Sequence, residues 1–270
     1  MNWQDKLSGE PHVFAIDYIN DYLAPEIPVY ETVWAKYSIL ITFADMQEGL
    51  VAHRERILHL APNQVQLAYI AVNHAQPPTQ LCGLAERDMV PADPFMHFSD
   101  GSIPMADCGP EHDYCKLYDY RTDAWRTMFL ESVRETLYGW KYDGVMFDNA
   151  NVWSAALENN DQQVKREMQE ALQDAFMTLR GRYPHALFIG NSDIRLAGLN
   201  GEMCENRPHD FLANCRPFAG HAQPEMNFCT MYSTTQTNIF NAWKAINAKG
   251  GWFCAQKDVF TPSWYPFYLS

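Results

Sequence analysis

Short apolar runs and longer amphipathic stretches alternate along this chain. The apolar runs have the length of strands and are rich in β-branched and aromatic residues, so they predict about eight β-strands. They cover residues 12–18, 37–43, 65–72, 144–148, 186–192, 201–206, 225–233 and 251–256. The runs YSILITF (37–43) and VQLAYIAV (65–72) are apolar with little alternation, which is typical of parallel strands that are buried on both faces.

The amphipathic stretches predict helices between several of these strands, at residues 48–62, 121–140, 164–183 and 237–251. In the second of them, Trp125, Phe129, Val133 and Leu137 recur every four residues and form one apolar face. Strands that alternate with helices favour a parallel sheet covered by helices. About eight such units predict an α/β protein with a single (β/α)8 TIM barrel over residues 1–270.

Residues 73–120 interrupt this alternation. They are rich in Pro, Gly, Asp and His, and they predict an irregular insertion after the third strand, of the kind that usually carries function. The chain ends soon after the eighth strand, so the final helix is expected to be short or missing. No GxGxxG or GxxxxGK[ST] loop follows any strand, which removes the usual nucleotide-binding reasons to prefer an open sheet.

The formal net charge of −13 argues against nucleic acids and anionic membranes as partners, since both bind through clustered Lys and Arg. It is compatible with neutral or cationic substrates. The first residues lack a basic start followed by an apolar run, and no run of about 18 apolar residues occurs, so neither a signal peptide nor a membrane span is expected. A cytoplasmic location and a mature secreted form both fit, and nothing indicates an oligomeric state.

The seven cysteines are odd in number and scattered, which is not the pattern of a disulfide framework. The segment CGPEHDYC (108–115) has the spacing of no common zinc motif. The sequence therefore predicts no metal site.

Acids, amides and aromatic residues collect where the predicted strands end, and Lys and Arg are scarce there. Active residues of α/β barrels lie at these carboxyl ends. The candidates are Asp17, Asp45, Asn73, His74, Asp148, Asn149, Asn191, Glu205, Asn206 and Tyr232, with Trp153 shortly after the fourth strand. Carboxylates and amides bind hydroxyl groups and flat rings pack on sugar faces, whereas a phosphate site would need Arg, Lys or a helix N-terminus. The set indicates a sugar-binding cleft.

Hydrolysis of a glycosidic bond needs one carboxyl as proton donor and a second as nucleophile or base. Two of these acids, Asp148 and Glu205, are the candidates for this pair. Asp148 and Glu205 end the fourth and sixth strands, and we expect them to face each other across the cleft. The alternatives are a cap after the strand for Asp148 and a salt bridge with Arg207 or Arg216 for Glu205. Glu202 is a second acid on the sixth strand, so either glutamate is a candidate for the cleft.

The segment YDGVMFDN (142–149) resembles the YDGV-F-LDN signature of glycoside-hydrolase-like barrels, among them the endo-α-1,4-polygalactosaminidase group. The likeness extends over about residues 34–235, through WAKYSILITF, HRERILHLAPNQVQLAYIAV, LYDYRTDAWR, LFIGNS and LNGEMCEN. The resemblance implies a barrel that hydrolyses glycosidic bonds, with Asp148 and Glu205 as the catalytic carboxylates. Hydrolysis of this kind needs no cofactor, and the implied partner is a carbohydrate substrate.

Two other functions fit the same residues. A non-catalytic barrel could hold a sugar in the same cleft without cleaving it. A metal-dependent lyase or aldolase could use Asp17, Asp45, Asp148 and Glu205 as oxygen ligands for Mg²⁺ or Ca²⁺. A Schiff-base aldolase is disfavoured, because no Lys lies clearly at a strand end.

Overall fold

A computed structural model describes residues 3–7, 12–17, 23, 27–43, 49–75, 93–106, 115–152, 157–191, 196–205, 226–230 and 252–256. In chain order its elements are α1 (Trp3–Lys6), β1 (His12–Asp17), α2 (Ile27–Trp34), β2 (Ile39–Phe43), α3 (Leu50–Leu60), β3 (Val65–Ala71), β4 (His74–Ala75), β5 (Met105–Ala106), β6 (Cys115–Leu117), α4 (Asp123–Arg134), β7 (Gly144–Asp148), α5 (Gln162–Arg182), β8 (Leu187–Gly190), β9 (Gly201–Glu205), β10 (Met226–Thr230) and β11 (Trp252–Gln256). A π-helical turn, Glu135–Gly139, continues α4, and a 3-10 turn, Glu158–Asn160, precedes α5.

The predicted α/β organisation with parallel strands is confirmed. A strand lies at each of the eight predicted positions, and every one of these strands pairs in parallel with a neighbour. The chain divides into two compact units, one of residues 1–42, 47–66 and 200–270 and one of residues 43–46 and 67–199. No helix in the described ranges is long and apolar enough to cross a membrane.

The first unit holds a parallel sheet in the order β2-β1-β11-β10-β9. In its register Ile16 pairs with Ile41, and Thr230 pairs with both Glu205 and Gln256. Ala15, Trp34, Tyr37, Leu40 and Ile57 form a buried apolar cluster between this sheet and its helices. The last residue of β1 is Asp17, and the last residue of β9 is Glu205.

Helix α2 is not among the predicted elements. Its inward face carries Ile27, Glu31 and Trp34, so a charged residue interrupts the apolar stripe. Glu31 accepts hydrogen bonds from Arg56 at 2.8 Å and pairs with His53 Nδ1 at 3.1 Å, and both partners come from α3. Burial raises the pKa of Glu31, but these hydrogen bonds outweigh burial and leave that pKa below its usual value.

The second unit contains a parallel sheet in the order β3-β7-β8 over helices α4 and α5. Phe147 of β7 contacts Phe129, Phe176 and Phe188, with ring centroids 5.6, 4.8 and 5.7 Å apart. Each of these rings is fully buried, so β7 is anchored from both helices and from the next strand. The predicted apolar face of the 121–140 helix is confirmed, since Trp125, Phe129 and Val133 are buried.

Both helices begin at a side-chain cap. Thr122 Oγ1 accepts from Trp125 N at 3.1 Å, and α4 starts at the next residue. Asp161 Oδ1 accepts from Gln163 N at 2.8 Å and Val164 N at 3.2 Å at the start of α5. The helix predicted at 237–251 lies outside the described residues.

The predicted insertion is more regular than an irregular loop where the structure describes it. β6 pairs antiparallel with β4 and with β5, through His74–Leu117 and Ala106–Cys115. Glu158 accepts hydrogen bonds from the backbone N, at 2.8 Å, and the hydroxyl of Ser99. These bonds tie the insertion to the segment that follows β7. Strands this short carry too few residues for a periodicity that the sequence could display.

Candidate functional site

Asp148 is the last residue of β7, and backbone hydrogen bonds hold this strand end from both sides. On the β3 side, Ala71 is its register partner and Val72 N donates to Asp148 O at 2.9 Å. On the β8 side, Asn191 N donates to Phe147 O at 2.8 Å and Ala150 N donates to Asn191 O at 3.1 Å. The backbone position of this carboxylate is therefore set by the parallel pairing itself.

Three donors converge on the Asp148 carboxylate. Asn191 Nδ2 donates to Oδ1 at 2.8 Å, and Asn149 Nδ2 donates to Oδ2 at 3.1 Å. The Tyr69 hydroxyl also donates to Oδ2. Amide nitrogens only donate, so the two carboxyl oxygens are the acceptors in these bonds.

Asn149 leaves the strand with a φ of 50°, in the left-handed region. Asn enters this region more readily than most other non-glycine residues, because its short polar side chain bonds locally. Here that local bond is the one to Asp148 Oδ2, so the turn that ends β7 also supplies a donor to the carboxylate. The sequence pair Asp148-Asn149 is thus one structural unit.

His74 begins β4 close to this carboxylate and is 4% exposed. Burial lowers the pKa of His74 to about 4, and the charge of Asp148 opposes this shift without cancelling it. The imidazole is therefore neutral at pH 7. Its Nδ1 pairs with Asn73 Oδ1 at 2.5 Å.

A pocket lies beside Asn73, with about 230 Å³ of empty space, open solvent included. Asn73 is 4% exposed, and its Nδ2 has no hydrogen-bond partner among the described residues. Tyr120 also lines the pocket, donating from its hydroxyl to Asn151 O at 2.9 Å, and burial raises the pKa of Tyr120 well above its usual value. A buried amide donor beside a small apolar pocket suits a water molecule or a single hydroxyl group.

The structure brings together five of the residues predicted for the site. Asn149 and Asn191 both donate to Asp148, and Asn73 and His74 form a pair beside them. For Asp17, Glu202 and Glu205 the structure describes the backbone alone, at the end of β1 and within β9. The predicted residues Asp45, Trp153, Asn206 and Tyr232 lie outside the described residues.

Tyr69 contacts Asp148 but is not among the candidates that the sequence placed at the strand ends. In β3 it is the one half-exposed side chain among buried neighbours. Its position two residues before the strand end, within an apolar run, is the signal that was available. A tyrosine in such a run needs a partner for its hydroxyl. Strand alternation places Tyr69 on the same face as Ala71, which is the register partner of Asp148.

The described part of the chain contains no group of three or more His, Cys, Asp or Glu side chains that could hold a metal ion. The carboxylate of Asp148 is instead surrounded by hydrogen-bond donors. Together these donors use three of the about four lone-pair positions of the carboxylate.

The fold of this chain is similar to that of glycoside hydrolases. The glycoside hydrolase domain of PelA from Pseudomonas aeruginosa superposes with a TM-score of 0.53 and 11% identity, covering 92% of this chain and 95% of that domain. The GH36 alpha-galactosidase AgaB from Geobacillus stearothermophilus has a TM-score of 0.58 and 13% identity. This alignment covers 96% of the present chain but 40% of AgaB.

The galactosidase domain of alpha-galactosidase-sucrose kinase, AgaSK, matches with a TM-score of 0.58 and 13% identity, over 95% of this chain and 39% of that one. No protein-family model and no curated sequence matches the chain. At these identities the comparisons establish a shared fold: the chain has the α/β, glycoside-hydrolase-like architecture.

Proposed function

We propose that this protein is a glycoside hydrolase in which Asp148 is one of two catalytic carboxylates. The observation that carries the proposal is the Asp148 carboxylate, fixed by three donors at the carboxyl end of a parallel strand. In α/β barrels this strand end is where catalytic groups lie. The glycoside-hydrolase-like fold of the chain supports the same conclusion, and a single (β/α)8 barrel over residues 1–270 remains our prediction for the whole domain.

The three donors also suggest how the two acids divide the work. A glycosidase needs one carboxyl that gives a proton to the leaving oxygen and one carboxylate that attacks the sugar or activates water. Donors that all point toward Asp148 suit the second role. We assign it to Asp148 and assign the proton donor to Glu205, the last residue of β9, on the strength of its sequence position and the family resemblance.

The remaining candidates are proposed to bind a carbohydrate substrate. His74 offers a neutral imidazole, and the side-chain amide of Asn73 lies beside it. Asn149 and Asn191 have the added task of holding Asp148. Asp17, Asp45, Trp153, Asn206 and Tyr232 complete the proposed set by their sequence positions. No cofactor takes part in this chemistry, and the resemblance to the polygalactosaminidase group makes amino-sugar polymers a first choice among substrates.

The test is reducing-sugar release from a panel of neutral, amino-sugar and acidic glycans. Wild type is compared with Asp148→Asn and Glu205→Gln. The matched control is Asp143→Asn, which changes a carboxylate just before the other end of the same strand. Thermal unfolding of each variant shows whether the fold is intact. We expect both active-site changes to lower kcat/KM by about 100-fold or more, because acid–base and nucleophilic groups contribute at this level, while the control retains activity.

Cleavage that survives both changes would overturn the assignment of the catalytic pair. Glycan binding that persists in all four proteins, with no cleavage of any substrate, would instead identify a non-catalytic carbohydrate-binding protein. Loss of wild-type cleavage on treatment with EDTA, restored by Mg²⁺ or Ca²⁺, would favour the metal-dependent lyase.

A further inference from the structure

We propose that Tyr69 is a positioning residue, which holds Asp148 Oδ2 so that Oδ1 is the oxygen that meets the substrate or the attacking water. This inference rests on the proposed function for the choice of reaction. The different roles of the two Asp148 oxygens rest on the hydrogen bond from Tyr69 to Oδ2.

The position of Tyr69 explains how its side chain reaches the carboxylate. Tyr69 lies in β3, where its register partner is Met146, and Ala71 is opposite Asp148. The tyrosine ring therefore spans the distance from two residues below the strand end. Its hydroxyl donates to Asp148 Oδ2, and the side chain stays half-exposed while its neighbours in β3 are buried.

A carboxylate has about four lone-pair positions, two on each oxygen. Oδ2 accepts from Tyr69 and from Asn149, which fills both of its positions. Oδ1 accepts from Asn191, the one donor that the described residues supply to it. The second position on Oδ1 therefore remains for the reacting group, so the two oxygens are not equivalent.

Tyr69 and Asn191 hold the carboxylate from opposite neighbours. Tyr69 belongs to β3 and Asn191 follows β8, and these are the two strands that flank β7. Asn149 is adjacent to Asp148 in the chain and follows its movements. Rotation about the Asp148 Cβ–Cγ bond has a broad, shallow energy profile, so donors from two different strands are what fixes the plane of the carboxylate. Without the Tyr69 hydroxyl, Oδ2 would keep one local donor and the plane could rotate.

The first experiment needs no substrate. Tyrosine labelled with ¹³C at Cζ gives a signal for Tyr69 that is identified by its loss in Tyr69→Phe. We expect this signal to move in Asp148→Asn, because the hydroxyl then donates to a neutral amide. Tyr120 is the matched control, since its hydroxyl is buried in the same unit but donates to a backbone carbonyl. A Tyr69 signal that is unchanged by Asp148→Asn would overturn the proposal, whatever the protein does to glycans.

The second experiment uses the glycan that the substrate screen identifies. We expect Tyr69→Phe to lower kcat by about 10- to 100-fold, the loss that one hydrogen bond to a charged group predicts, with little change in KM. Tyr142→Phe changes another buried tyrosine of the same unit, just before the other end of β7, and should leave kcat unchanged.

A rise in KM alone in Tyr69→Phe would show that Tyr69 binds substrate, and it would overturn the positioning role. An equal loss in both tyrosine variants would reduce the effect to general packing and would have the same consequence. A protein that cleaves no glycan, while the Tyr69 signal still responds to Asp148→Asn, would instead contradict the glycosidase assignment and leave the contact established.

Discussion

His74 is a buried imidazole whose protonation the fold opposes. Its pKa is about 4 in the folded protein, against 6.5 for an ordinary histidine. Between pH 6.5 and pH 4 the unfolded chain therefore binds a proton that the folded protein does not. The free energy of unfolding should fall as the pH is lowered through this window, by about 3 kcal/mol in all. Above pH 6.5 the protonation of His74 has no effect on stability.

NMR titration of the imidazole signals checks this prediction. His74 should remain neutral from pH 8 to about pH 5. His97 is the internal control, because it is exposed and its hydrogen bond to Asp93 raises its pKa above the usual value. A His74 signal that titrates together with that of His97 would contradict the prediction. In His74→Gln, the dependence of unfolding free energy on pH between 6.5 and 4 should become shallower.

The site could be predicted in part at this scale. Asp148, Asn149 and Asn191 were found because a strand that ends in polar residues is visible in the sequence. The contact between Tyr69 and Asp148 was not predicted. The two residues are 79 apart in the sequence, and their contact depends on the register between β3 and β7. The neutral state of His74 also depends on burial, which a residue type alone does not disclose.

Gly144 begins β7 at a point where β7 and β8 approach each other closely. A Cβ atom at Gly144 would lie 1.9 Å from Leu187 O and 2.6 Å from Leu187 C. Leu187 is its register partner in β8, and a backbone atom cannot move aside without breaking the pairing. We expect Gly144→Ala to lower the free energy of unfolding by at least about 2 kcal/mol, in the range of overpacked interiors.

Gly181→Ala is the matched control for this change. Gly181 lies in the last turn of α5, and an added Cβ would meet no atom within 4 Å. A glycine in a helix loses more conformational freedom on folding than alanine does, so this variant should gain up to about 1 kcal/mol. Urea unfolding of both variants measures the difference. Equal stabilities would contradict the close approach of β7 and β8.

The elements that could be predicted are those with an uninterrupted pattern. Strand β7 was located to the residue, because five residues between a turn and a polar end leave no ambiguity. Helix α2 was missed because Glu31 occupies its buried face. The groups that make this burial tolerable, His53 and Arg56, are more than twenty residues away in the chain. The local sequence of α2 therefore does not show that the buried charge of Glu31 is paired.

At the scale of the whole molecule, the net charge of −13 sets the expected response to salt. Polyanionic glycans approach a field of the same sign, so kcat/KM for a uronate or sulfated polymer should be low and should rise with ionic strength. Amino-sugar polymers should show the opposite trend, and neutral polymers little change. Initial rates at about 0.02 and 0.5 M NaCl, chosen to place the Debye length well above and well below the usual 10 Å, measure these trends. Faster cleavage of polyanions at low salt would contradict this prediction.

The support of Asp148 has a consequence for how this scaffold can diversify. Its three donors lie within β3, directly after β7 and directly after β8, and the described residues 93–106 of the insertion supply none of them. On the proposed function, residues 93–106 can therefore vary without changing the donors that hold the catalytic carboxylate. Insertions of other lengths and compositions should be tolerated at this place with the contacts of Asp148 intact.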